Sequence, residues 1–325
     1  MMSVVGFTGT IKSTLRGAGK AAVFPMLGRG PWLRRKLDLV RSAGATTILN
    51  LHRVGPQDGS GYPPLAPELF DDLLGFVTRE FCVVTFDELC EPRSKPKLVL
   101  SFDDGYRDFI EYAVPAMKRR GVRANQNIIP KCVETDLPPL NVLAQDFIGK
   151  APRELVAGLD VPGYSAPRDR SFSGRLSHFL KMRSQAQQDR LAEILVPQFF
   201  AWDGFKPTPM MSADEVRSLT DHEIGAHSFA HASMEFETDE YLRDDVKRCA
   251  GWFGEELSLP MRIYAFPNGS CRQGQAEQVL KQGIDHVLLV GDAFDRDPHV
   301  HRRFTFHATS RPEVRFRAAG GFASP

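Results

Sequence analysis

Hydrolytic chemistry needs titratable groups close together, and two short clusters of this chain supply them. The first is Ser101-Phe102-Asp103-Asp104-Gly105-Tyr106. It follows an apolar run, Lys97 to Phe102, of the kind found in buried parallel strands. Adjacent carboxylates repel unless a cation or a shared proton offsets the repulsion. Taken alone, Asp-Asp-Gly also reads as an ordinary turn. The second cluster is His227-Ser228-Phe229-Ala230-His231, after the extended run Glu223 to Ala226. Histidines at i and i+4 can converge on one metal where the backbone takes a helical turn, although a lone HxxxH is weak evidence. Together the clusters say more. One carboxylate and two imidazoles are three ligands that leave positions open for water and substrate, and a second carboxylate beside them can act as general base.

A third segment falls in the same register. The extended run Met261 to Phe266 ends in Pro267-Asn268-Gly269-Ser270. Three separate strands therefore carry polar or turn residues at their carboxyl ends, where parallel barrels and open α/β sheets keep their active sites. The elements between them are consistent with such a fold. Strands are expected near residues 46–51, 82–85, 97–102, 122–129, 223–228, 261–266 and 286–290. Helices are expected at 67–79, 108–120, 238–257 and 275–282, with Ser212 and Glu215 forming a capping box at the start of a short one. Alternating strands and helices imply parallel strands with the helices outside. Residues 131–210, rich in Pro, Arg, Gln and Ser, read as a helical insertion beside the main domain, with helices near 143–148, 176–182 and 185–195. A long irregular stretch in a compact domain is usually functional or mobile, which makes the insertion the expected source of substrate specificity.

Composition bounds the answer. The 325 residues hold 41 Lys and Arg against 40 Asp and Glu, and are 42% hydrophobic and 25% charged, as in ordinary globular proteins. Near-zero net charge argues against a nucleic-acid binder built on a basic face, and no run of 18 apolar residues suggests a transmembrane helix. The five cysteines are scattered without a CxxC pair, which fits a reducing compartment. The neutrality is a cancellation. Seven basic residues and no acidic one precede Asp38, and without them 34 basic residues face 40 acidic. Residues 1–44 thus read as a basic arm ahead of a domain at 45–325. No continuous apolar stretch in the arm resembles a secretory signal. The expected location is cytoplasmic, with the arm either loosely ordered or a peripheral contact to anionic lipid at the inner membrane face.

The order Ser-Phe-Asp-Asp-Gly-Tyr, His-Ser-x-x-His, Phe-Pro-Asn-Gly resembles that of the polysaccharide deacetylases, the NodB-homology or carbohydrate esterase 4 family. Leu51-His52-Arg53-Val54 and Val84-Thr85-Phe86-Asp87-Glu88-Leu89 extend the resemblance upstream, so that it covers about 46–319, least well at 131–210. The resemblance implies a distorted (β/α) barrel and a hydrolase that removes N-acetyl groups from an amino sugar in a polysaccharide, oligosaccharide or lipid-linked precursor. By resemblance, Asp104, His227 and His231 hold a divalent metal, usually Zn2+. Asp103 is then the general base, and Asn268 supplies a backbone amide to the oxyanion. His52 is assigned to the pocket, with a structural histidine as the alternative, and Arg303 to a substrate contact. Two departures stand out. Ala265 occupies a place where many members carry an Arg, and the Leu-x-His motif that many members place near the carboxyl end, with the general acid His, is missing there; His299, His301 and His307 lie in that region without its context. The other readings to be separated are an amidase or esterase acting on a different acylated substrate, and a non-catalytic carbohydrate-binding relative.

Overall fold

The computed structural model describes residues 23–325. Lys12, Arg16 and Lys20 of the basic arm lie outside the described residues. Eight strands run parallel: β1 (Thr47–Leu51), β2 (Cys82–Val83), β3 (Lys97–Phe102), β4 (Asn125–Ile128), β5 (Glu223–Ala226), β6 (Ile263–Ala265), β7 (His286–Val290) and β8 (Val300–Thr305). Along one edge of β3 lies β1, in register from Thr47 against Leu98 to Leu51 against Phe102. Its other edge holds β2 at the start and β4 at the end. With β8 paired to β1, seven strands close a ring, and the two-residue β2 fills the splay between β3 and β4. The expected (β/α) barrel is therefore the fold, and closure removes the open sheet edges.

Two layers fill the barrel. Its lower interior is apolar, packed by Ile48, Val99, Ile263 and Leu288 and plugged by Phe86. Its upper interior is polar, with Asn50, Ser101, Asn125, Asn127 and Arg303 all nearly or fully buried. The main core lies outside the ring, where Leu100 and Phe102 of β3 meet Phe70, Leu73, Leu74 and Val77 of the helix Pro67–Glu80. The capping box at Ser212 forms as expected and opens the helix Ala213–Arg217.

Between β4 and β5 the insertion folds as five helices, Pro130–Thr135, Leu140–Lys150, Arg153–Ala157, Phe172–Lys181 and Gln185–Phe200. It has its own core, in which Phe147, Phe172, Leu176, Leu180, Leu195 and Phe199 pack together. The helix Leu140–Lys150 presses on Phe172–Lys181, and both reach the carboxyl ends of the barrel strands.

One boundary differs from the sequence reading. Residues 30–43, assigned to the arm, form the helix Gly30–Ala43, with Pro31 in its first turn and Gly44 (φ 60°) ending it. Leu33, Leu37 and Val40 recur at helical spacing and are buried in the main core. Even Lys36 is buried, donating to the Ala323 carbonyl and lying over the Phe294 ring. The exposed Arg29, Arg34 and Arg35 masked this apolar stripe in a reading led by charge.

Candidate active site

All three motifs arrive at one mouth of the barrel because each follows the carboxyl end of a parallel strand: β3, β5 and β6. Each turns sharply there. Asp104, Ser228, His231 and Asn268 all have φ between 59° and 78°, a region that non-glycine residues seldom occupy. Such strain persists only where the surroundings over-determine it, and it clusters at functional sites.

Asp104 and the two histidines converge. The Asp104 Oδ1 atom lies 3.4 Å from His227 Nε2 and 3.5 Å from His231 Nε2, all three side chains being buried. One ligand atom from each residue falls within 4.8 Å of the others. Oδ2 of Asp104 accepts the Tyr106 hydroxyl at 2.8 Å, whereas Oδ1 is buried without any hydrogen-bond partner. An orphaned carboxylate oxygen facing two imidazole nitrogens is what a cation site offers, and the donor set suits Zn2+. The Ala265 carbonyl lies 2.9 Å from His227 Nδ1, which turns Nε2 toward Asp104. Burial lowers His231 to about 3, so it is the neutral imidazole that ligation requires.

Asp103 sits beside this group, its Oδ2 3.8 Å from His227 Nε2. Arg303 grips it with two bonds, Nη1 to Oδ1 at 2.7 Å and Nη2 to Oδ2 at 2.8 Å, and Asn127 donates to Oδ1 at 2.8 Å. Burial pushes the Asp103 carboxyl up, but the charges of Arg303 and His227 override it and hold the group well below the usual carboxylate range. Asn127 can approach because Gly225 stands opposite: a Cβ there would come within 2.3 Å of Asn127 Oδ1.

The histidine loop has its own support. Asp245, from the helix Asp239–Trp252, accepts from Ser228 Oγ at 2.9 Å, from the Phe229 amide at 3.0 Å and from the Tyr264 hydroxyl at 2.7 Å. Three bonds to one buried carboxylate fix the turn that brings His227 and His231 together.

A cavity of about 500 Å³ opens above the cluster. His52, Asp103, Asp104, His227, His231 and Asn268 all line it, so the structure brings together six of the seven site residues expected from the sequence. The seventh, Arg303, is a correction. Its side chain is fully buried and lies beneath Asp103, where its guanidinium is spent on Asp103 and Ser101, so it has no face toward a substrate. Arg303 thus grips the carboxylate in a chain that carries Ala265 instead of the third-motif Arg. The insertion adds Asn141, Gln145, His178 and Lys181 to the wall. Asn127, Asp245 and these insertion residues were not read as site residues, because none belongs to a motif. Of the histidines near the carboxyl end, His301 lies at the amino end of β8 between Asp295 and His286, and His299 just ahead of it. His307 lines an adjoining cleft that shares His52, Tyr62 and Thr305 with this cavity.

A closed parallel barrel carrying a buried Asp-His-His group at the carboxyl ends of its strands defines the class: a (β/α) barrel of the NodB type. Residues 195–287 match the family model described as polysaccharide deacetylase, a segment that includes both histidines and Asn268. The chain is 13% identical to the Streptococcus pyogenes deacetylase PplD, solved in complex with acetate, with 85% of this chain and 98% of that one covered and a TM-score of 0.56. BC0361, a polysaccharide deacetylase from Bacillus cereus, aligns with a TM-score of 0.56 at 10% identity, over 85% of this chain and 69% of that one. IcaB from Ammonifex degensii aligns at 0.53 and 17% identity, over 85% and 97% of the two chains. At these identities the likeness is one of fold. No curated protein sequence matches the chain. The matched segment and the barrel agree in pointing to the polysaccharide deacetylases as the proteins this chain resembles.

Proposed function

We propose that the protein is a metal-dependent hydrolase that removes N-acetyl groups from an amino sugar in a polysaccharide, oligosaccharide or lipid-linked precursor. The observation that carries this reading is the convergence of Asp104, His227 and His231 around an unpartnered carboxylate oxygen, with Asp103 held alongside at the floor of an open cavity. A divalent ion held by those three residues would polarise the acetyl carbonyl and acidify a water molecule.

The chain's own groups account for the rest. Asp103 accepts the proton of the attacking water at Oδ2, the oxygen that faces His227. Arg303 and Asn127 fix the plane of that carboxylate, so no reorientation accompanies proton transfer. In this reading the Asn268 amide donates to the oxygen on which negative charge develops, and the left-handed backbone at Asn268 presents the turn to the cavity. His52 and Tyr62 enclose one side, their rings 5.9 Å apart and edge to face.

The test pairs metal content with chemistry. Wild type is expected to hold about one zinc or similar ion per chain and to release acetate from N-acetylglucosamine oligomers. Asp104→Ala should lose the metal, and Asp103→Asn should keep it while losing activity. Metal-free wild type, or equal acetate release by wild type and Asp103→Asn, would refute the reading.

We also propose that the protein acts in the cytoplasm at the inner membrane face, with the basic arm as its contact. Six of the seven basic residues ahead of Asp38, all but the buried Lys36, support this. Among the described residues no helix is long and apolar enough to cross a membrane. Cell fractionation with Lys12, Arg16 and Lys20 changed to Glu should shift the protein from the membrane to the soluble fraction.

A further inference from the structure

Cleaving an amide requires two proton movements. Asp103 can take a proton from water, but the departing nitrogen must also receive one, because an amide anion is far too basic to leave. No Leu-x-His triplet stands near the carboxyl end, the one in the chain being Leu176-Ser177-His178 of the insertion, and His299, His301 and His307 do not line the cavity.

The insertion presents an alternative. His178 and Lys181 lie three residues apart on one face of the helix Phe172–Lys181, and both line the cavity. The opposite face carries Phe172, Leu176 and Leu180 into the insertion core, so the helix is held in place by packing. His178 is exposed at the rim, whereas Lys181 is partly buried and turned inward. Lys181 shares that cavity with the side chains of Asp104, His52 and His231. Asp104 is itself committed to the two histidines and to Tyr106. An ammonium kept in a cavity without a dedicated counter-ion is costly unless it has a task there.

Resting on the hydrolase reading above, we propose that Lys181 is the general acid, the group that protonates the leaving amine from the insertion side of the cavity. As the tetrahedral centre collapses, the carbonyl π bond re-forms and the C–N bond breaks. Its electron pair passes to nitrogen, which takes a proton from the Lys181 ammonium. Asp103 returns the proton it took from water to solvent, from which Lys181 is recharged; the products are acetate and the free amino sugar. Burial lowers the Lys181 ammonium below the ordinary lysine range, against the pull of Asp104, which makes it a readier donor.

Two substrates test this with the zinc-loaded full chain: an N-acetylglucosamine pentamer, and 4-nitrophenyl acetate, whose phenolate departs without a proton. Lys181→Met and Lys181→Arg should each lose roughly 100-fold or more in kcat on the pentamer and stay within about twofold of wild type on the ester. The arginine variant keeps the charge but cannot release a proton. Melting temperature and zinc affinity, titrated into the metal-free protein, should not fall in Lys181→Met. Equal losses on both substrates, a fall in either physical measure, or rescue by arginine would each overturn the assignment. So would a selective loss confined to His178→Ala. Full pentamer activity in Lys181→Met would overturn the assignment of Lys181 alone. Failure of wild type to release acetate from either substrate would overturn the hydrolase reading and this proposal with it.

Discussion

Replacing Arg303 with methionine removes four hydrogen bonds at once, two to Asp103, one to Ser101 and a long one to the Leu289 carbonyl, inside a fully buried setting. The Asp103 carboxylate keeps only Asn127 as a side-chain donor. Stripping one partner from a buried ion pair typically costs about 3–5 kcal/mol, because the remaining charge stays desolvated. Methionine fills most of the volume, so little of that cost comes from a cavity. Urea denaturation of the metal-free proteins at pH 7 should show a loss of that size. The deficit should depend on pH. Asp103 in wild type is held below its unfolded value, so its contribution is present above the ordinary carboxylate range and lost as pH falls through the folded value. In the variant the unopposed carboxyl rises and takes up a proton in the folded state. Both effects shrink the deficit as pH falls from 7. The double variant Arg303→Met/Asp103→Asn should recover most of the loss, since neither partner remains charged. A deficit under about 0.5 kcal/mol at pH 7, or no recovery in the double variant, would refute the buried grip.

Other consequences follow from the same contacts. Gly225→Ala drives a Cβ into Asn127 Oδ1, and overpacking of this kind costs about 1–3 kcal/mol; chemical denaturation measures it, and activity should fall with it because Asn127 holds Asp103. Asp245→Asn weakens the three bonds that shape the histidine loop, so zinc affinity should drop about 10- to 100-fold by competitive chelator titration. Leu37→Ala should cost roughly 2–5 kcal/mol, as for any buried core leucine, whereas a peripheral arm would tolerate it silently.

The strands that carry the chemistry were legible because their patterns are local. β3 and β7 have the bounds expected from apolar runs, and β5 ends two residues before its expectation, where the His227 turn begins. The last strand, β8, had no such signature. Val300-His301-Arg302-Arg303-Phe304-Thr305 alternates, but the inward positions are His301 and Arg303, which inverts the usual apolar-in pattern. Both are buried because polar partners satisfy them, Asp295 of the preceding loop and His286 of β7 for one and Asp103 and Ser101 for the other. β4 is similar, with Asn125 and Asn127 buried at the polar level. The helix Gly30–Ala43 was hidden by the opposite effect, exposed arginines drawing attention from a narrow apolar stripe.

Residue types and their order were enough to state the kind of chemistry and which carboxylates and imidazoles would perform it, because each motif is a short segment whose turn residues and preceding strand lie next to it in the chain. Ring closure decided the remainder. It set Arg303, 200 positions from Asp103, directly beneath it, and turned an expected substrate contact into the clamp on that carboxylate. It also swung an insertion with its own core over the strand ends, delivering His178 and Lys181 to the cavity. Contacts between residues so far apart depend on strand register and helix packing, which no local pattern encodes.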